Sequence, residues 1–163
     1  MSEKHPEDPH IRAFFMKVRL SEIMIREVIS LFDDDPFSLV EEKMRENCIR
    51  HLPVVDFQKK LVGIITQRDL YRTHTPRKDE DGNWFYDKES LNEHVLKDAM
   101  TKSPVSLSPD DFLGTAVMLM VDNKYGCIPL VDDDGKLVGI VTQHDILKIP
   151  AGILRESGKG EGK

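Results

Sequence analysis

The residues best suited to chemistry occur twice. Thr66 and Asp69 stand in the string TQRD, and Thr142 and Asp145 stand in TQHD. A carboxylate offers two acceptor oxygens at a spacing that suits the two vicinal hydroxyls of a ribose. A threonine hydroxyl can donate to a sugar or phosphate oxygen. If a helix starts at each of these strings, its first amides and its dipole add a favourable setting for phosphate. The same spacing is also a capping box, in which Thr bonds the amide three residues on and Asp reaches back. Both readings stand at this point, and they differ in geometry. A cap turns the carboxylate onto main-chain amides, whereas a ligand site leaves it facing an open crevice. The neighbours of the two strings are unequal. Arg68 lies inside the first, and Arg50-His51 precede Leu52-Pro53. The second has His144 and Gly126-Cys127 at those places.

Other chemistry finds no support. The chain has no P-loop, no HExxH and no nucleophile–base pair, so it is expected not to be an enzyme and to have no catalytic residues. Cys48 and Cys127 lack CxxC spacing and read as reduced thiols. His5, His10, His74 and His94 have no ligand spacing, so no metal site is expected. With 23 basic and 29 acidic residues the net charge is −6. That balance argues against nucleic acid or an anionic membrane as partner. The N-terminal string MSEKHPEDPHIR has no apolar h-region, and the longest apolar run, Ala116 to Val121, is far short of the roughly 18 residues that span a bilayer. A cytoplasmic location is the expectation.

The elements that position these residues are set by a duplication. LVGIITQRDL (Leu61 to Leu70) recurs as LVGIVTQHDI (Leu137 to Ile146), 76 positions later. The same offset holds without a gap upstream, and Leu20–Leu70 against Leu96–Ile146 gives 19 identities in 51 pairs. A gapless match of that density indicates a repeated unit rather than shared composition. Each copy opens with a short apolar segment (Leu20 to Met24; Leu96 to Met100). A brief strand follows (Val28 to Leu31; Val105 to Leu107), then a helix to about Asn47 or Asn123. In copy two, Ser108-Pro109-Asp110-Asp111 is read as the helix start. Two apolar strands come next, with Lys59-Lys60 or Asp134-Gly135 in the turn, and a last short helix begins at Gln67 or Gln143. The order is β-α-β-β-α. A copy of about 50 residues buries too little surface to be comfortably stable alone. The reading is therefore a mixed α/β (α+β) fold with two repeats packed sheet to sheet into one module.

The expected organisation is an N-terminal tail (1–15, partly disordered), repeat one (16–73), a linker (74–94), repeat two (95–150) and a C-terminal tail (151–163). The aromatic cluster Trp84-Phe85-Tyr86 either pins the linker to the module or makes it a flap over a cleft. The two long helices contrast. Copy one carries Glu41, Glu42, Lys43 and Arg45 where copy two carries Val117, Met118, Leu119 and Val121. A helix apolar nearly all round must bury more than one face. These four residues are expected to form a homodimer interface, with burial against the linker as the alternative.

The tandem of RHLPVVD…LVGIITQRDL with IPLVDDDGKLVGIVTQHDIL resembles the cystathionine-β-synthase (CBS) domain, whose paired copies form a Bateman module. The resemblance covers about Val18 to Ile149. The chain is similar to small stand-alone bacterial CBS proteins, including those grouped with acetoin utilisation. The resemblance implies a disc-like dimer whose clefts bind adenosine-containing ligands (AMP, ADP, ATP or S-adenosylmethionine), with Mg²⁺ left open and no cofactor required. It implies a regulatory role toward an unidentified partner protein. In the family the Asp holds ribose and the Thr lies near ribose or phosphate, which would assign Asp69, Asp145, Thr66 and Thr142. Basic residues at the places of Arg68, Arg50 and His51 reach phosphate, with His144 standing at the place of Arg68. Arginine can do so bidentately, so the Asp69 cleft is the better equipped. Family geometry puts adenine near Ile25–Val28 and Thr101–Pro104, with Val28 and Pro104 as wall residues. The rival reading is a dimerising interaction scaffold without a physiological nucleotide, its T-x-x-D boxes serving only as caps.

Overall fold

The computed structural model describes residues 8–73, 76–92 and 96–157. In chain order, copy one contains α1 (Pro9–Phe15), a 3-10 turn (Leu20–Glu22), β1 (Leu31–Phe32), α2 (Ser38–Glu46), β2 (His51–Val55), β3 (Leu61–Thr66) and α3 (Gln67–Thr73). The linker supplies β4 (Arg77–Lys78), β5 (Trp84–Phe85) and α4 (Lys88–Asn92). Copy two contains α5 (Leu96–Ala99), β6 (Thr101–Lys102), α6 (Leu113–Asn123), β7 (Cys127–Val131), β8 (Leu137–Thr142) and α7 (Gln143–Ser157). The β-α-β-β-α order is present in both copies. In copy two the first strand is reduced to one parallel bridge, Leu107 to Leu130.

The hairpins form as their turns dictate. Asp56 Oδ1 accepts from the amides of Gln58 and Lys60 at 2.8 and 2.9 Å. Asp132 Oδ1 does the same for Asp134 and Lys136 at 3.0 and 2.8 Å. Gly135 takes the left-handed conformation the turn needs (φ 79°), and Lys59 occupies the equivalent place at φ 66°. The two hairpin ends meet at the pseudo-twofold axis. The Leu61 amide donates to the Gly135 carbonyl and the Leu137 amide to the Lys59 carbonyl, both at 3.0 Å.

Each repeat is completed by the opening segment of the other. β6, from copy two, adds antiparallel to β3 to give the sheet β1-β2-β3-β6. Reciprocally, Ile25 of copy one exchanges amide–carbonyl bonds with Ile140 of β8, at 2.9 and 3.0 Å. The anchors follow the same exchange. Leu20 is fully buried in the core of copy two, with Ala116, Met120, Ile128, Leu130 and Val141. Leu96 is buried in the core of copy one, with Leu31, Phe37, Val40, Leu52 and Ile65. The glycine of each LVGI strand serves this exchange. A Cβ on Gly139 would stand 2.6 Å from the Met24 sulfur, and Gly63 lies against Met100 in the same manner. Between the sheets, Ile64, Cys127 and Ile140 form a small third cluster with Val28 against it.

Four boundaries differ from the sequence reading. The opening segments, expected within their own copies, pack in the opposite ones. The Ser108-Pro109-Asp110-Asp111 signal closes a single turn, with Asp111 Oδ2 accepting from the Ser108 amide at 2.8 Å; α6 starts only at Leu113. The Leu113 amide is satisfied by the Val18 carbonyl at 2.9 Å, so the exchanged segment itself caps the helix. Residues 9–15 of the expected N-terminal tail form α1, capped by Asp8 Oδ1 on the His10 amide at 2.8 Å. At the other end α7 continues to Ser157, past the expected boundary at 150 and through Pro150. The remaining residues of the two expected tails, 1–7 and 158–163, lie outside the described residues, as do linker positions 74, 75, 93 and 94 and the first residue of repeat two, 95.

The linker packs as an excursion. Gly82 (φ 83°) turns the short β4–β5 hairpin, whose ends are tied by the Asn83 amide to Asp79 Oδ1 at 2.8 Å. Leu91 of α4 is fully buried in the core of copy one. Of the three aromatics only Tyr86 packs there, 6.4 Å from the Tyr71 ring; Trp84 and Phe85 are exposed. Burial, Tyr71 and Glu41 push the Tyr86 hydroxyl up to about 12.

Candidate functional site

Both T-x-x-D strings form the capping box in full. Asp69 Oδ2 accepts from the Thr66 amide at 2.9 Å and from its hydroxyl at 2.7 Å, while Thr66 Oγ1 accepts from the Asp69 amide at 3.4 Å. Asp145 Oδ2 repeats this on Thr142 at 3.1 and 2.6 Å, with the return bond at 3.3 Å. In each case the cap consumes one carboxylate oxygen. The second oxygen separates the copies. Asp145 Oδ1 is taken by Lys148 Nζ at 3.0 Å, and the side chain is only 7 % exposed. Asp69 Oδ1 has no protein partner among the described residues, and Asp69 is half-buried. Burial alone would raise the Asp145 carboxyl, but the Thr142 and Lys148 hydrogen bonds outweigh it and hold it below the usual carboxylate range.

Asp69 opens onto a cleft of about 960 Å³ between the repeats. That is the scale of a small-molecule site. Copy one lines it with Arg50, His51, Ile64, Thr66, Arg68, Asp69, Tyr71 and Arg72; copy two contributes the β6 segment through Pro104 and Val105, and the Asn123–Cys127 turn. The two walls come together because β6 adds to β3 while the α6–β7 turn faces the His51 end of β2. His51 marks that meeting. A Cβ on Gly126 would stand 2.6 Å from its Nε2, so a larger residue there would have to displace the His51 ring. Burial, with the adjacent Arg50 charge, lowers the His51 pKa below its ordinary 6.5. Its ring is therefore neutral at pH 7, a hydrogen-bonding group rather than a charge. Cys127 below it is buried, and burial pushes its thiol up to about 12.

Of the sequence-derived site residues, Thr66, Arg68, Asp69, Arg50, His51 and Pro104 line this one cleft. Thr142, His144, Asp145 and Val28 do not; Val28 packs in the cluster between the sheets. Sequence reasoning missed Arg72, Lys124, Tyr125 and Gln143. Arg72 was within reach, three positions after Asp69 on the same helix face. Lys124 was not, because it arrives from the other repeat. It caps α6 in the left-handed conformation (φ 57°). Among the described residues no cluster of three or more His, Cys, Asp or Glu side chains is placed to hold a metal ion. Among the described residues no helix is long and apolar enough to cross a membrane.

Comparison with known proteins agrees with this architecture. The family model "CBS domain" matches residues 20–74 and 96–152. An inosine-5'-monophosphate dehydrogenase of Methanocaldococcus jannaschii is 35 % identical over 130 residues, covering 80 % of this chain and 23 % of the dehydrogenase. The chain thus spans under a quarter of that relative. A crystal structure described as a putative acetoin utilization protein (AcuB) from Vibrio cholerae superposes with TM-score 0.69 at 28 % identity, covering 89 % of this chain and 98 % of that one. Two others share the fold at TM-score 0.68 and 24 % identity. They are CBSX2, a CBS-pair protein of Arabidopsis thaliana, in complex with AMP (83 % and 98 % covered), and the CBS domain pair of protein MJ0100, in complex with 5'-methylthioadenosine and S-adenosyl-L-methionine (83 % and 97 % covered). Two matched repeats, each completing the other's sheet around a shared cleft, establish that the chain belongs to the CBS domain family.

Proposed function

We propose that this CBS pair is a regulatory module that binds an adenosine-containing nucleotide in the Asp69 cleft and passes the binding state to a partner protein. The observation that carries this reading is the split role of Asp69. One oxygen caps its helix, and the other, at the edge of an open cleft, has no partner among the described residues. A free carboxylate oxygen beside a threonine suits a ribose hydroxyl, and Arg50 and Arg68 in the same cleft suit phosphate. The ligands bound by CBSX2 and by MJ0100 support the adenosine class. The function so described is binding rather than catalysis.

Calorimetry with AMP, ADP, ATP and S-adenosylmethionine, each with and without Mg²⁺, tests it. At least one is expected to bind, and Asp69→Ala is expected to abolish the heat. Because Ala also removes the helix cap, at a cost of about 0.5–2 kcal/mol, Asp69→Asn is the sharper variant. It retains an acceptor for the Thr66 amide but weakens the bond to a sugar hydroxyl. Unchanged binding by Asp69→Asn and Asp69→Ala would remove Asp69 from the site.

A second reading has its own observation. Both capping boxes are complete, and Met118 and Val121 on α6 are 61 % and 69 % exposed. A dimerising scaffold accounts for these facts without a ligand. The nucleotide reading includes the same homodimer, formed through α6. Met118 and Val121 present the apolar surface, Val117 lies half-buried beside them, and Leu119 packs against its own core.

A further inference from the structure

We infer that each chain binds one nucleotide, in the Asp69 cleft, and that this cleft selects a polyphosphate over a monophosphate or a sulfonium nucleoside. The inference rests on the nucleotide reading above and adds ligand charge and stoichiometry to it.

The basis is an imbalance of charge within one cleft. Arg50, Arg68, Arg72 and Lys124 all line it, and Asp69 is its single carboxylate. All four cations are exposed, and among the described residues none forms an ion pair. The chain as a whole carries net charge −6, so this concentration of unpaired positive charge runs against the composition. Four like charges around a concave surface repel one another, and an anion placed between them relieves that repulsion. Each added phosphate brings more negative charge and more acceptor oxygens. A sulfonium brings positive charge to a cleft that already has an excess.

The symmetry-related positions show that the other side is not built this way. At the places of Arg50 and Arg68 copy two has Gly126 and His144. At the place of Arg72 it has Lys148, which is spent on Asp145 Oδ1 at 3.0 Å. At the place of Lys124 copy one has Cys48, and the place of Ser103 is held by Glu27. At the second T-x-x-D the carboxylate oxygen that is open in the first is therefore taken, and the lysine at the place of Arg72 is spent in taking it. Duplication produced two sites, and divergence left one equipped.

Calorimetry on the full chain with ATP, ADP, AMP, adenosine, S-adenosylmethionine and inorganic tripolyphosphate separates the outcomes. The expected result is one ATP per chain, bound about tenfold more tightly than AMP, with S-adenosylmethionine weakest and affinity for ATP falling steeply with salt. Tripolyphosphate is expected to compete with ATP. Arg72→Met and Lys124→Met lie on exposed positions, so the fold should persist, as a melting curve confirms. Each should weaken ATP about tenfold while leaving adenosine unchanged. AMP or S-adenosylmethionine binding as tightly as ATP overturns charge selection and leaves the nucleotide reading intact. Two ligands per chain overturns the single-site assignment. Tripolyphosphate binding with no response to any adenosine compound overturns the nucleotide reading, and this inference with it.

Discussion

At the residue scale, the positions that matter each combine two demands. Asp69 is at once a helix cap and an open acceptor, and the sequence shows why these could not be told apart in advance. T-x-x-D specifies the cap completely, but whether the second oxygen is free depends on the residue three positions on and on where the other repeat stands. Lys148 closes Asp145, and the corresponding Arg72 lies along the cleft without pairing to Asp69. His51 was legible as a strand residue near the site. Its neutrality was not, because it follows from burial against Gly126 of the other repeat. This has a consequence for acid stability. A histidine whose folded pKa is depressed favours the fold at pH above its ordinary 6.5, and that contribution is lost as pH falls through the folded value. Denaturant unfolding at pH 7.5 and at pH 5.5 should show a smaller acid loss for His51→Gln than for the wild type. An identical loss would place the titrating group elsewhere.

Secondary-structure elements were well read where local chemistry determines them. The β2–β3 and β7–β8 hairpins, their Asp-anchored turns and the long helices all follow from apolar runs and turn residues close in sequence. The exchange of opening segments was not legible. An apolar string such as Leu20 to Met24 states that it must be buried but not in which core, and the 76-residue period is the same for either choice. Prolines and aspartates misplaced the start of α6 for a related reason. Their capping bonds are local, whereas the bond that starts the helix at Leu113 comes from Val18. The exchange makes each opening segment a structural requirement of the opposite repeat. Leu96→Ala should destabilise the protein by about 2–5 kcal/mol and, in hydrogen exchange, loosen β2 and β3 more than β7 and β8. Gly139→Ala should cost about 1–3 kcal/mol, since its Cβ meets Met24. Loosening confined to the repeat in which Leu96 stands in sequence would contradict the exchange.

For the whole molecule, the duplication was the most informative property of the sequence, and it determines the pseudo-twofold arrangement. Divergence within that symmetry separates the two copies. Copy one has Asp69, with one oxygen unpartnered among the described residues, and its arginines, and copy two has the apolar α6. The apolar face contains Met118 and Val121 in the open, about one helical turn apart. Surface of that kind on adjacent turns suits an isologous interface, where the same patch serves both partners. Met118→Glu with Val121→Glu should convert a dimer to a monomer in light scattering with little change in the melting of the monomer itself. A wild-type chain that is already monomeric at micromolar concentration would contradict the interface.

The sharpest test is a crystal structure of the chain grown with ATP. It should show the nucleotide between β6 and the α6–β7 turn, with a ribose hydroxyl within hydrogen-bond distance of Asp69 Oδ1 and the phosphates facing Arg50 or Arg68. A cleft free of nucleotide at saturating ATP, or a nucleotide held at Asp145 with Asp69 untouched, would contradict it.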